Sequence, residues 1–117
     1  MTEQQINTAI DELIALVADG KPMEAFEKFY HPDFEKTDLD GVTHQGKTLN
    51  EKNGHTQLSQ ITAVRDFSAI GKIVKGNRSF IVWNIDLDNS VHGLLKVTEV
   101  AIQDWEDGKI IKERYFA

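Results

Sequence analysis

Three carboxylates, Asp38, Glu99 and Glu113, stand in stretches of strand-like composition with partners suited to acid–base or binding chemistry. In an extended chain, residues two apart share a face. Phe34, Lys36 and Asp38 therefore fall together, as do Glu99, Ala101 and Gln103, and again Ile111, Glu113 and Tyr115. A carboxyl shielded by apolar neighbours gains proton affinity and can exchange a proton near neutral pH. Such chemistry would let Asp38 act as a general base; the alternative is that it caps the turn at Asp40-Gly41 in solvent. Glu99 lies among Val97, Val100 and Ala101, where a carboxylate is costly unless paired. It is either a pocket acid or one half of a structural pair with Lys36 or Lys96. Gln103 both donates and accepts, so it can orient a carbonyl or bond a neighbouring strand. Glu113 and Tyr115 offer an acid and a phenolic donor, unless Tyr115 simply anchors the C-terminus with its ring in the core. Trp83 is core packing or the wall of a ligand site.

Other chemistries find little support. His31, His44, His55 and His92 show no metal-ligand spacing, so no metal site is expected. The absence of cysteine removes disulfides, thiolate metal sites and a thiol nucleophile. Gly71, Gly76 and Gly93 are isolated, with no phosphate-binding loop, so no nucleotide or other cofactor is implied. A net charge of −6 argues against nucleic acid and against an anionic membrane face. No apolar run is long enough to span a bilayer, and Met1-Thr-Glu-Gln-Gln lacks the features of a leader. Cytoplasm is the expected compartment.

The elements that must hold these residues are readable from period and punctuation. The 117 residues suit one domain, and 40% hydrophobic against 27% charged residues is enough to build a core. Thr2 and Gln5 have capping-box spacing ahead of a stripe of Ile6, Ile10, Leu13, Ile14 and Val17. Asp19-Gly20 ends that helix, and Pro22 opens a second one carrying Met23, Phe26 and Phe29 and ending at His31-Pro32. Phe34 to Leu39 reads as a short strand turned by Asp40-Gly41, and Thr48 with Glu51 announces a third helix interrupted by Gly54. Four strands follow, Ile61–Val74, Ser79–Leu87, Val91–Trp105 and Lys109–Phe116, separated by Lys75-Gly76-Asn77, Asp88-Asn89-Ser90 and Asp107-Gly108. Asp107-Gly108 predicts a two-residue hairpin, because both residues tolerate positive φ.

The run Glu99-Val-Ala-Ile-Gln103-Asp-Trp105, the turn Asp107-Gly108-Lys-Ile110 and the terminal Tyr115-Phe resemble the SnoaL-like branch of the nuclear-transport-factor-2-like superfamily. The likeness covers nearly the whole chain. It implies an α+β, cystatin-like fold: a cone-shaped, curved antiparallel sheet with three helices packed on its concave face. Phe29-Tyr-His-Pro-Asp33-Phe-Glu-Lys-Thr-Asp38 also resembles the segment carrying the catalytic carboxylate of ketosteroid isomerases, whose general base falls on Asp38. The oxyanion tyrosine of that family falls on Ile14 and its protonated aspartate near Ala101, neither of which can stabilise an enolate. The likeness therefore argues against steroid isomerisation.

Alternation and the family register together place Asp38, Lys36, Trp83, Glu99, Gln103, Glu113 and Tyr115 on the pocket side, with Ile81, Trp83, Ile85 and Leu87 as the apolar wall. A small-molecule protein holding a largely apolar ligand is the leading reading. An acid–base enzyme of isomerase, cyclase or dehydratase type using Asp38 is the second. A homodimeric module with a vestigial pocket is the third. Phe80, Val82, Val100 and Ile102 point to the other face of the sheet, and an apolar face of that kind predicts a homodimer.

Overall fold

The computed structural model describes residues 1–117 as three helices and one six-stranded curved sheet. Helix α1 (Glu3–Ala18) starts as its sequence dictates: Thr2 Oγ1 accepts from the Gln5 amide at 3.1 Å, and Gln5 Oε1 accepts from the Thr2 amide at 2.9 Å. Its buried stripe is Ile6, Ile10 and Leu13. Helix α2 (Pro22–Phe29) has Pro22 in its first turn, and its closing residue Tyr30 is already extended at φ −100° and ψ 134°.

The second helix thus ends one turn-step before the expected His31-Pro32, and β1 (Tyr30–Thr37) runs through both residues. Tyr30 pairs with Ile110 of β6 (Lys109–Phe116), and the register then slips before Glu35 meets Lys112. The slip falls over Pro32, which has no amide proton to give a ladder. The β1–β6 pair is parallel, while every other neighbouring pair is antiparallel. The sheet is therefore mixed rather than wholly antiparallel. A short strand β2 (Thr43–Gln45), not expected from the sequence, pairs with the end of β1. Helix α3 (Lys47–Ser59) begins at Gly46, so Thr48 and Glu51 lie inside it and form no capping box. Asn50 instead ties the helix start to the strand before it, its Nδ2 donating to the carbonyls of His44 at 3.0 Å and Gly46 at 2.8 Å.

The strands β3 (Ile61–Lys75), β4 (Arg78–Asn89), β5 (Gly93–Glu106) and β6 form the expected meander. The strand order is β2-β1-β6-β5-β4-β3. Three register shifts along the β3–β4 ladder supply the extra twist that bends the sheet. Asp107 at φ 54° and Gly108 at φ 76° close the β5–β6 hairpin between Glu106 and Lys109. Alternation on β4 is strict: Ser79, Ile81, Trp83, Ile85 and Leu87 are buried under the helices, and Phe80 and Val82 lie half-buried on the other face. The core joins these residues to Phe29, Tyr30, Phe34, Ala101, Trp105 and Ile110.

One bulge alters the expected pattern on β6. Trp105 pairs with Ile110 and Asp104 with Lys112, leaving Ile111 as the extra residue. Ile110, not Ile111, is therefore buried, and the slip returns Glu113 to the inner face.

Gly54 explains itself by proximity. A Cβ there would sit 3.2 Å from Met23 Sδ and 3.4 Å from its Cε, where α2 crosses α3. A methionine end moves easily, whereas glycine in a helix costs about 1 kcal/mol relative to alanine. Gly54→Ala is expected to stabilise the protein, by up to about 1 kcal/mol in urea unfolding. A loss of stability would mean that Met23 cannot shift.

Candidate functional site

Between the helices and the inner face of the sheet lies a cavity of about 250 Å3. Leu13 and Val17 of α1, Met23 and Phe26 of α2, and Asn50, Gly54 and Leu58 of α3 form its roof. Phe34, Phe67 and Trp83 form the apolar floor. Lys36, Glu99, Glu113, Tyr30 and Tyr115 gather at one end. A wider depression of about 460 Å3 beside the β5–β6 hairpin is lined mainly by polar groups such as Asn77, Asp104, Asp107 and Lys112, together with Ile111. The first is the better ligand site despite its smaller size, because it combines apolar enclosure with a few convergent polar groups.

The polar end has two unlike halves. The inner half is a closed hydrogen-bond network around Glu113, which is only 4% exposed. Tyr30 Oη donates to its two oxygens at 2.9 and 3.0 Å, Tyr115 Oη donates at 2.6 Å, and Gln103 Nε2 donates at 2.8 Å. Gln103 Oε1 in turn accepts from the Ser79 hydroxyl at 2.7 Å, and Ser79 Oγ accepts from Trp105 Nε1 at 2.9 Å. Every donor points toward the carboxylate. Burial first, and then the Glu113 charge, push both phenols well above the ordinary tyrosine value of 10.0, so they stay protonated and keep donating.

The outer half is open. Lys36 Nζ lies 3.4 Å from Asp38 Oδ1 and 5.1 Å from the centre of the Tyr115 ring. Glu99, opposite Trp83 across the β4–β5 ladder, lines the cavity half-buried, and no hydrogen bond supports its carboxylate. Burial raises its proton affinity above the ordinary glutamate value of 4.5; Lys36 offsets part of this, and Glu113 and Asp38 reinforce it.

A carboxyl that holds its proton more tightly when folded contributes its full share of stability below pH 4.5 and loses it as pH rises through the folded value. Glu99→Gln should therefore flatten the fall in stability between pH 4.5 and neutrality, with little change in acid. Parallel pH profiles of the unfolding midpoint test this.

Of the residues expected to converge, Lys36, Trp83, Glu99, Glu113 and Tyr115 line the cavity. Gln103 does not reach it: fully buried, it stands behind Glu113 as a strut. Asp38 is also outside the lining. Strand β1 ends at Thr37, and the Asp38 amide donates to the Val42 carbonyl at 3.1 Å in the turn to β2. Its carboxylate lies 3.4 Å from Lys36 Nζ and 3.6 Å from His44 Nδ1, so it pairs with these side chains at the cavity's edge. Tyr30 and Asn50 were not among the expected site residues. Even spacing from Phe34 and Lys36 was the available signal for Tyr30.

His31, Glu106 and Asp107 bring ligand-type atoms within 4.8 Å of one another. His31 Nδ1, however, accepts from the Asp33 amide at 3.0 Å, which leaves the proton on Nε2, the atom facing Asp107 at 3.8 Å. At that distance the two are neighbours without a hydrogen bond, and a protonated Nε2 has no lone pair to offer a metal. No helix is long and apolar enough to cross a membrane.

A curved sheet closed over by three helices, with an apolar cavity between, defines the nuclear-transport-factor-2-like and cystatin-like class. The chain belongs to the SnoaL-like domain family, which matches it over residues 1–117. Among solved structures it is similar to a Mesorhizobium loti protein described as a SnoaL-like polyketide cyclase, with a TM-score of 0.86, 21% identity and 100% of each chain covered. It is similar also to a Burkholderia pseudomallei nuclear-transport-factor-2-like protein of unknown function, with a TM-score of 0.78, 14% identity, and 98% of this chain and 90% of that one covered. A Xanthomonas campestris protein with a cystatin-like fold gives a TM-score of 0.74 at 18% identity, over 96% of this chain and 88% of that one. Comparison with curated proteins gives no match.

Proposed function

We propose that the protein binds a small, largely apolar ligand in the cavity beneath α1, α2 and α3. The observation that carries this reading is the division of the polar end: Glu113, Tyr30, Tyr115 and Gln103 saturate one another, leaving Glu99 and Lys36 to meet a ligand. The phenols that would otherwise stabilise an oxyanion are committed to a carboxylate, which favours binding over enolate chemistry. Val17→Trp should fill the cavity from α1, where Val17 is half-buried in its lining. Calorimetric titration with small cycloalkyl probes should give saturable binding to the natural chain and none to the filled variant. Equal binding by both would place the site elsewhere.

A second reading is acid–base catalysis, and the position of Glu99 favours it over Asp38 as the proton carrier. It predicts that Asp38→Asn retains any turnover, whereas Glu99→Gln abolishes it.

We also propose a homodimer through the outer sheet face. Ile73 lies opposite Phe80, which lies opposite Ile102, and Val82 lies opposite Val100, which lies opposite Phe116. Ile73 and Phe116 are 66% and 53% exposed, forming an apolar band that a two-fold copy would cover. Light scattering should return twice the 13.2 kDa chain mass, and Val82→Glu should return the single mass. The natural chain scattering as a monomer would remove the proposal. Cytoplasm is the compartment proposed for this cysteine-free chain.

A further inference from the structure

Resting on the small-ligand reading above, we infer that the ligand carries a protonated amine on an apolar body, with the amine meeting Glu99. Three features support this. First, Glu99 is the cavity carboxylate without a donor: Glu113 takes its hydrogen bonds from Tyr30, Tyr115 and Gln103, while none supports Glu99. A half-buried carboxylate without a partner is costly, and a charged N–H donor relieves that cost most fully.

Second, the local charge is unbalanced. Glu99 faces Lys36 of β1 and Asp38 in the turn just beyond it, and Glu113 and the neutral Tyr115 from β6. His44 on β2 faces Asp38 rather than the cavity. The α1, α2 and α3 residues of the lining, including Asn50 and Gln57, carry no charge. Three carboxylates thus surround one lysine, and that lysine is paired with Asp38 at 3.4 Å. An anion would be repelled, and a neutral alcohol would leave the excess charge in place. Burial is the main cause of the raised proton affinity of Glu99; Lys36 offsets part of it, and Glu113 and Asp38 add to it.

Third, the wall is aromatic. Phe26, Tyr30, Phe34, Phe67, Trp83 and Tyr115 present rings to the cavity. Ring faces attract cations and also bury an aliphatic body, so one surface serves both parts of such a ligand.

Three probes sharing one body separate the possibilities: cyclohexylmethylamine, cyclohexylmethanol and cyclohexanecarboxylate, titrated calorimetrically at neutral pH. The amine should bind at least about tenfold more tightly than the alcohol, and the carboxylate most weakly. Glu99→Gln, which keeps the shape, should erase the amine's advantage while the alcohol still binds. Carbon-13 NMR of the Glu99 carboxyl should show its pKa falling when the amine saturates the site, and the amine's advantage should fade in acid as Glu99 takes up its proton. Equal or tighter binding of the alcohol or carboxylate would overturn the amine assignment and leave the binding reading intact. Failure of all three probes to bind would overturn both.

Discussion

Replacing Glu113 with alanine is expected to cost at least about 3 kcal/mol of folding stability, because three buried donors lose their acceptor and each such loss costs about 1–3 kcal/mol. The donors are Tyr30, Tyr115 and Gln103, and the hydrogen bond each phenol or amide N–H makes goes to Glu113. Glu113→Gln should cost less, since it keeps the volume and one acceptor oxygen while turning an amide N–H toward a phenol. Tyr115→Phe should cost about 1–2 kcal/mol, because the carboxylate then retains Tyr30 and Gln103. Urea unfolding that ranks the three in this order supports a network built for Glu113. A cost of no more than about 1 kcal/mol for alanine would show that the group is not needed to hold β6 to β1.

Phe34→Ala is expected to cost about 3–5 kcal/mol, the usual range for removing a buried phenyl ring. Phe34 is fully buried, and its ring meets those of Tyr30 edge-on at 4.7 Å and Phe26 at 5.8 Å. The ring is also part of the cavity floor, so the variant carries a second signature. The enlarged cavity should bind a bulkier cycloalkyl probe that the natural chain excludes, and that probe should restore part of the lost thermal stability by mass action. Loss of stability without any gain in ligand size would separate Phe34 from the site and leave it a core residue only.

What the sequence conveyed and what it withheld divide along a physical line. Most local signals were legible, although the Thr48 and Glu51 spacing marked no cap. The Thr2 and Gln5 cap, Pro22 at the head of α2 and the Asp107-Gly108 hairpin each depend on a few adjacent residues, and each stands as expected. Alternation placed Trp83, Glu99, Glu113 and Tyr115 on the cavity side because their strands are long and mostly regular. Features set by pairing partners distant in the chain were not legible. The parallel β1–β6 ladder depends on how Tyr30 to Thr37 meets the final strand, some eighty residues later. Asp38 misled for a related reason: alternation predicts facing only while a strand continues, and β1 stops at Thr37. Gln103 was placed on the correct face but not at the correct depth, which Glu113 decides by standing in front of it. Glu99, one candidate among several in the sequence, becomes distinctive only when its neighbours prove to be saturated.

If the cavity under the helices receives the ligand, the two indole N–H signals of the chain should respond differently to it. Trp83 lines the cavity, whereas Trp105 is buried behind it and donates to Ser79. In a nitrogen-15 NMR titration with cyclohexylmethylamine, the Trp83 indole and the Asn50 side-chain amide should shift together along one binding curve while the Trp105 indole stays in place. Shifts confined to the outer sheet face or to the hairpin around Asp107, with Trp83 unmoved, would contradict the account.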